Sequence, residues 1–165
     1  MPRPTGTLTR ISPDDCELSI SRTIDAPIDD VWASVTQSER TSLWIGPWTG
    51  AAAPGATVSL TMTLEEGDPE FPVLIIACEE PTRLEVAAGD EPSAMHLELR
   101  LSVADAATEL ALVHHLDDPA QAAIFGGGWD FYVDCLVASR EGRPLPSFDD
   151  YNTDTFLAYY SNLTA

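Results

Sequence analysis

Lysine is absent from this sequence: all eight basic residues are Arg, set against 27 Asp and Glu for a formal net charge of −19. The isoelectric point is near 4.1. Phosphate backbones and anionic lipid headgroups are held mainly by Lys and Arg, so neither nucleic acid nor a membrane surface is expected as a partner. An acidic partner is repelled for the same reason, whereas cations and neutral hydrophobic ligands remain compatible. Solubility or salt adaptation is the simplest use of such a charge. Cysteine is scarce too. Cys16, Cys78 and Cys135 stand far apart with no CxxC spacing, which argues against a disulfide framework or a zinc site. The longest apolar run, Phe71–Cys78, falls far short of a bilayer span. The opening MPRPTGTLTRISPDD has no apolar core of a signal peptide, so the expected location is cytoplasmic. There is no GxSxG, HExxH or P-loop, so no catalytic residue is assigned, and no cofactor or metal is expected. Gly126-Gly127-Gly128 lacks the setting of a dinucleotide fingerprint. It reads instead as a close approach of helix to sheet, or a kink at a pocket mouth.

What is present is enough for one domain: 165 residues, 44% of them hydrophobic. Folded as a unit, a chain of this length buries roughly 70% of its unfolded surface and needs no staple. Residues 1–14, with Pro2, Pro4 and Pro13, read as a flexible arm. From Cys16 the period is two, with Cys16, Leu18 and Ile20 against Glu17, Ser19 and Ser21. Asp25-Ala26-Pro27 ends that strand and opens a helix whose apolar face is Ile28, Val31, Trp32 and Val35. A second short helix follows near Ser38–Leu43.

Strands then succeed one another: Thr57–Leu64, Phe71–Cys78, Arg83–Ala88, Met95–Val103 and Glu109–Leu116, separated by Gly, Pro and Asp turns. Phe71–Cys78 is apolar on both faces and reads as a central strand covered on both sides, or one at an interface. After Asp117-Asp118-Pro119 the period becomes helical. Trp129, Tyr132, Val133, Leu136 and Val137 share one face, with Asp130 and Asp134 away from it, and Gly142-Arg143-Pro144 stops the helix. The tail carries Phe148, Tyr151, Phe156, Tyr159 and Tyr160, too aromatic to stay free.

Segregated strands and helices predict an α+β domain. The expected architecture is a helix-grip fold: a curved antiparallel sheet of about six or seven strands wrapped around a long C-terminal helix, with two short helices after the first strand. Residues 15–143 form this domain, and 144–165 dock on its surface.

Four features in this order resemble a known family. Arg22-Thr23-Ile24-Asp25-Ala26-Pro27 with Val31-Trp32 and Trp44 is similar to the opening of SRPBCC domains. Cys78-Glu79-Glu80-Pro81-Thr82-Arg83-Leu84, Leu110–His114, and Gly128-Trp129 with Tyr132 and Leu136 complete the likeness. Taken together they most resemble the homologues of the activator of the heat-shock protein 90 ATPase. The resemblance implies the START-like, pollen-allergen-like helix-grip fold. Members of the superfamily carry lipids, sterols or polyketides, cyclise polyketides, hold metal centres in larger enzymes, or act as co-chaperone modules.

Within that fold the candidate ligand-binding residues are Trp44, Trp48, Met62, Leu97, Leu99, His114, Trp129, Tyr132 and Leu136. Trp44 and Trp48 flank Gly46-Pro47 and lack a periodic core role, which favours a pocket wall. Trp129 and Tyr132 either line a cavity or fill the core. His114 shares the face of Leu110 and Leu112, so it is read as a polar anchor or as a hydrogen-bonded core histidine. His115 and His96 fall on the surface. Adjacent strand residues point to opposite faces, so His114 and His115 cannot chelate one ion together.

Three functions follow. The first is binding of a hydrophobic or aromatic small molecule between sheet and helix, without chemistry on it. The second is a stress-related or co-chaperone protein-interaction module with the groove filled, docking a protein partner on an outer face. The third is a cyclase- or hydratase-type enzyme using His114.

Overall fold

A computed structural model of the chain describes residues 1–165. The elements run β1 (Thr7–Ser12), β2 (Asp15–Ile24), α1 (Ile28–Thr36), α2 (Ser38–Thr41), β3 (Trp48–Thr49), β4 (Thr57–Thr61), β5 (Glu70–Glu79), β6 (Arg83–Ala88), β7 (Met95–Ala104), β8 (Ala107–Leu116), α3 (Ala122–Arg140) and α4 (Asp154–Ser161). The strands make one antiparallel sheet in the order β1-β2-β8-β7-β6-β5-β4-β3, with α3 lying against its concave face. This is the helix-grip fold. It has eight strands rather than six or seven because β1 and β3 add an edge at each side. Neither edge carries an alternating pattern: only Leu8 is buried in β1, and β3 is two residues long.

The arm expected to be flexible is therefore ordered from Thr7, where it pairs with β2, and Thr5 and Gly6 are hydrogen-bonded to side chains of α3 and α4. Backbone pairing with β2 needs no side-chain period, so sequence patterning could not show it. In β5, Leu74 and Ile76 are exposed, so this strand is covered on one side only. No helix is long and apolar enough to cross a membrane.

Register sets which side chains face α3. Leu97 lies opposite His114, Leu99 opposite Leu112 and Leu101 opposite Leu110; Ile20 pairs with Leu112 and Leu18 with His114. A slip of one residue would turn this whole set to the convex side, so the burial of one face holds the register. The two halves of the concave face differ. Leu18, Ile20, Leu110 and Leu112 on β2 and β8 are buried, whereas Leu84, Val86, Leu97 and Leu99 on β6 and β7 are inward-facing yet only half-buried. The first half packs on α3; the second half looks into open space.

α3 is covered on its other side as well. Asp130, expected away from the core, is wholly buried, because the tail folds back over it. Tyr151, Phe156 and Tyr160 of that tail are buried, and Thr153 caps α4 by accepting from the Phe156 amide. Two of the three glycines serve this contact rather than an approach to the sheet, while Gly128 borders the space between helix and sheet. A Cβ on Gly126 would lie 2.3 Å from the Tyr160 ring, and one on Gly127 would lie 2.6 Å from the Tyr151 carbonyl oxygen.

Candidate functional site

Between the half-buried side of the sheet and α3 lies a cavity of about 410 Å³, lined by 28 residues of which 23 are hydrophobic. Trp44, Trp48, Met62, Leu97, Leu99, Trp129 and Tyr132 all line it. They come from four places: the segment after α2, the end of β4, the inward positions of β7, and the N-terminal half of α3. The indoles are fixed by their N–H groups. Trp44 donates to the Ser34 carbonyl at 2.9 Å and Trp48 to the Thr36 carbonyl at 2.9 Å, so both rings present only carbon to the cavity.

His114 and Leu136 do not line it. His114 points inward as the alternation requires, but Phe125 and Trp129 stand over it, and its Nδ1 accepts the Trp129 indole N–H at 3.0 Å. That bond leaves Nε2 as the protonated nitrogen of the neutral ring. Burial, helped by the nearby charges of His115 and His96, lowers its pKa to about 4. His114 is thus a core histidine that orients Trp129. Leu136 lies one turn past Tyr132, where α3 has closed onto the sheet, and is buried in the packed core.

Several wall residues were not singled out beforehand: Ile45, Leu60, Phe71, Val73, Ile75, Leu84, Val86, Met95 and Phe125. Strand alternation identifies most of them as inward. What it lacks is any sign of which inward residues meet a helix and which meet a void.

Polar groups in the wall are few. Thr36 and Thr41 donate to the Trp32 and Gly46 carbonyls at 2.8 Å each. Glu98 contributes to the wall from β7, but its carboxylate is engaged by Arg83, Arg100 and His115. Burial alone would raise that carboxyl; hydrogen bonds from the three partners outweigh it and bring it down to about 2. Glu65 is exposed and contributes to the wall from the turn after β4. The Tyr132 hydroxyl is buried with no hydrogen-bond partner.

The convex face carries a charge ladder. His96 and His115, opposite each other in β7 and β8, stack with ring centroids 4.3 Å apart and are bonded to Glu85 and Glu98. Glu17, Glu98 and His115 bring ligand-type atoms within 4.8 Å of one another, a spacing open to a cation. Arg100 already stands there, its Nη2 2.8 Å from an oxygen of Glu17 and of Glu98, so the guanidinium supplies the positive charge. Cys135 is buried, and burial pushes its thiol up to about 12, as an inert cysteine requires.

The model of a family described as "Activator of Hsp90 ATPase homolog 1-like protein" matches residues 25–139. Among solved structures, CalU16 from Micromonospora echinospora superposes with a TM-score of 0.77 at 25% identity, over 96% of this chain and 98% of that one. DynU16, a protein of the dynemicin biosynthetic locus, gives 0.68 at 23% identity, over 80% of this chain and 50% of that one. The product of gene BPP1335 from Bordetella parapertussis gives 0.74 at 20% identity, over 100% and 94%. The last two show a shared fold. No curated protein matches the chain.

Proposed function

The chain belongs to the family of Activator of Hsp90 ATPase homolog 1-like proteins, and from that premise we propose that it binds a hydrophobic or aromatic small molecule between sheet and long helix, without doing chemistry on it. One observation carries this reading: the interior is open where the fold could have closed it. Protein cores are packed like organic crystals, and voids beyond a water or two are rare. A cavity of about 410 Å³ walled by 23 hydrophobic residues has the size and character of a ligand site. Burying on the order of 400 Å² of apolar surface, ligand and wall together, at about 25 cal/mol per Å² contributes roughly 10 kcal/mol. Association entropy takes part of that back, which leaves micromolar binding. That DynU16 comes from a biosynthetic locus agrees with a small molecule as cargo.

A protein-interaction module was expected to have a filled groove, and this groove is open. An enzyme using His114 needs that ring at the cavity surface, and it sits behind Phe125 and Trp129.

The test is titration with Nile red, a neutral dye that brightens in apolar surroundings. The natural chain is expected to bind one dye with micromolar affinity. Leu97→Trp, which places a larger ring in the middle of the wall, is expected to weaken binding by about tenfold or more while the circular dichroism spectrum is kept. No enhancement with the natural chain, or equal binding by the folded variant, removes the proposal.

A further inference from the structure

The donors around the cavity leave one group over. The indole N–H groups of Trp44, Trp48 and Trp129 bond to the Ser34 carbonyl, the Thr36 carbonyl and His114. The hydroxyls of Thr36 and Thr41 bond to main-chain carbonyls. The Tyr132 hydroxyl alone is buried and bonded to nothing, on a residue only 6% exposed whose ring forms part of the wall. Buried polar groups are nearly always partnered, because an orphan forfeits the hydrogen bond it had with water. Phenylalanine would fill the same space without that loss. The second observation is charge. No Arg, Lys or His lines the cavity; Glu98 turns its carboxylate to the convex face, and the one remaining charged wall residue, Glu65, is an acid. A buried anion there would lose its hydration and find no counter-charge.

Resting on the reading of the cavity as a ligand site, we infer that its ligand is a neutral, mainly apolar molecule that presents a hydrogen-bond acceptor, a carbonyl or ether-type oxygen, to the Tyr132 hydroxyl, and that anionic amphiphiles such as fatty acids are rejected. Tyr132 fixes orientation, and the apolar wall supplies most of the affinity. Burial, with a further push from the Glu65 carboxylate, raises the phenol pKa, so the group stays protonated and able to donate at every ordinary pH. A ligand acceptor satisfies the orphan; a hydrocarbon of the same shape leaves it as it is.

The experiment displaces Nile red with three probes of one shape: 2-acetylnaphthalene, 2-isopropenylnaphthalene and 2-naphthoate, on the natural chain and on Tyr132→Phe. The ratio of ketone to hydrocarbon affinity is expected to fall about five- to tenfold in the variant. Hydrocarbon binding should stay equal or improve, and naphthoate should bind about tenfold or more weakly than the ketone in both proteins. Removing an unpartnered hydroxyl should leave the melting temperature unchanged or higher, so the variant folds and the comparison is clean. If the ratio stays within about twofold, or naphthoate matches the ketone, the inference is wrong while the cavity reading stands. If Nile red fails to bind the natural chain, both fall together.

Discussion

Asp130→Ala is expected to destabilise the chain by about 4 kcal/mol, read as the loss of unfolding free energy in urea followed by tryptophan fluorescence. The size comes from what Asp130 gathers. Its side chain is fully buried in α3, where one oxygen accepts from the Arg22 guanidinium at 3.0 Å and the Thr5 hydroxyl at 2.6 Å. The other oxygen accepts the Tyr160 hydroxyl. Arg22 also reaches Asp134 at 2.9 Å, and Asp134 accepts from the Tyr151 hydroxyl at 2.6 Å. One carboxylate thus ties the first residues of the chain, strand β2 and the C-terminal tail to the outer side of α3. Taking it away leaves a half-buried guanidinium short of a partner and the buried Tyr160 phenol, still bonded to the Gly6 amide, without an acceptor, the costly way to break an ion pair.

Should the alanine variant not fold, Tyr160→Phe reads the same network more gently. It keeps the ring against Gly126, removes only the hydroxyl, and is expected to cost about 1–2 kcal/mol. Faster amide exchange should then be confined to residues 154–161 and the arm. A loss below about 1 kcal/mol for Asp130→Ala would mean that the tail is held by its aromatic packing alone.

Lowering the pH from 7 to 4 is expected to remove roughly 3 kcal/mol of stability through His114. Its ordinary pKa of 6.5 applies in the unfolded chain and about 4 in the folded one. Between these values the unfolded state takes up a proton that the native state refuses, so unfolding gains as pH falls through the window. The loss is complete below about 4.

Two other groups act differently. His115 is raised: burial pulls it down, but its bonds to Glu98 and Asp15 outweigh this. It therefore stabilises below its unfolded pKa and loses that contribution as pH rises through its folded value. Glu98, held near 2 against an ordinary 4.5, contributes above 4.5 and loses this as pH falls toward 2. The His114 part is isolated by His114→Gln, whose amide oxygen can still accept from Trp129. The difference in unfolding free energy between natural chain and variant should shrink steadily from pH 7 to 4. Parallel curves would show that His114 titrates normally and is not sealed behind Trp129.

How much of this could be read beforehand depended on the range over which the causes act. Met95, Leu97, Leu99 and Leu101 alternate with His96, Glu98, Arg100 and Ser102, and that pattern marks both the strand and its buried face. Seven of the nine candidate wall residues do meet around one cavity. The two that do not, His114 and Leu136, obey the same periods as the seven. Periodicity reports the side of an element on which a residue sits, not the distance to whatever faces it. β1 escaped notice because an edge strand held by backbone bonds needs no alternation. Asp130 does lie away from the apolar face, yet the far side of α3 is also an interior.

The order of the six inner strands, the sheet's inward face, the long helix and the aromatic tail that must dock were all determined by the sequence itself. Each rests on local periods and turn residues within a few positions of one another. Tertiary structure alone decided that the sheet is half packed and half open, that His114 lies behind Trp129, and that Tyr132 is left without a partner. It also joined Thr5 to Asp130 across 125 positions of chain. These depend on how far a curved sheet stands off its helix and on which distant side chains fill the gap. Both are set by the packing of all the elements at once, and no local pattern encodes that.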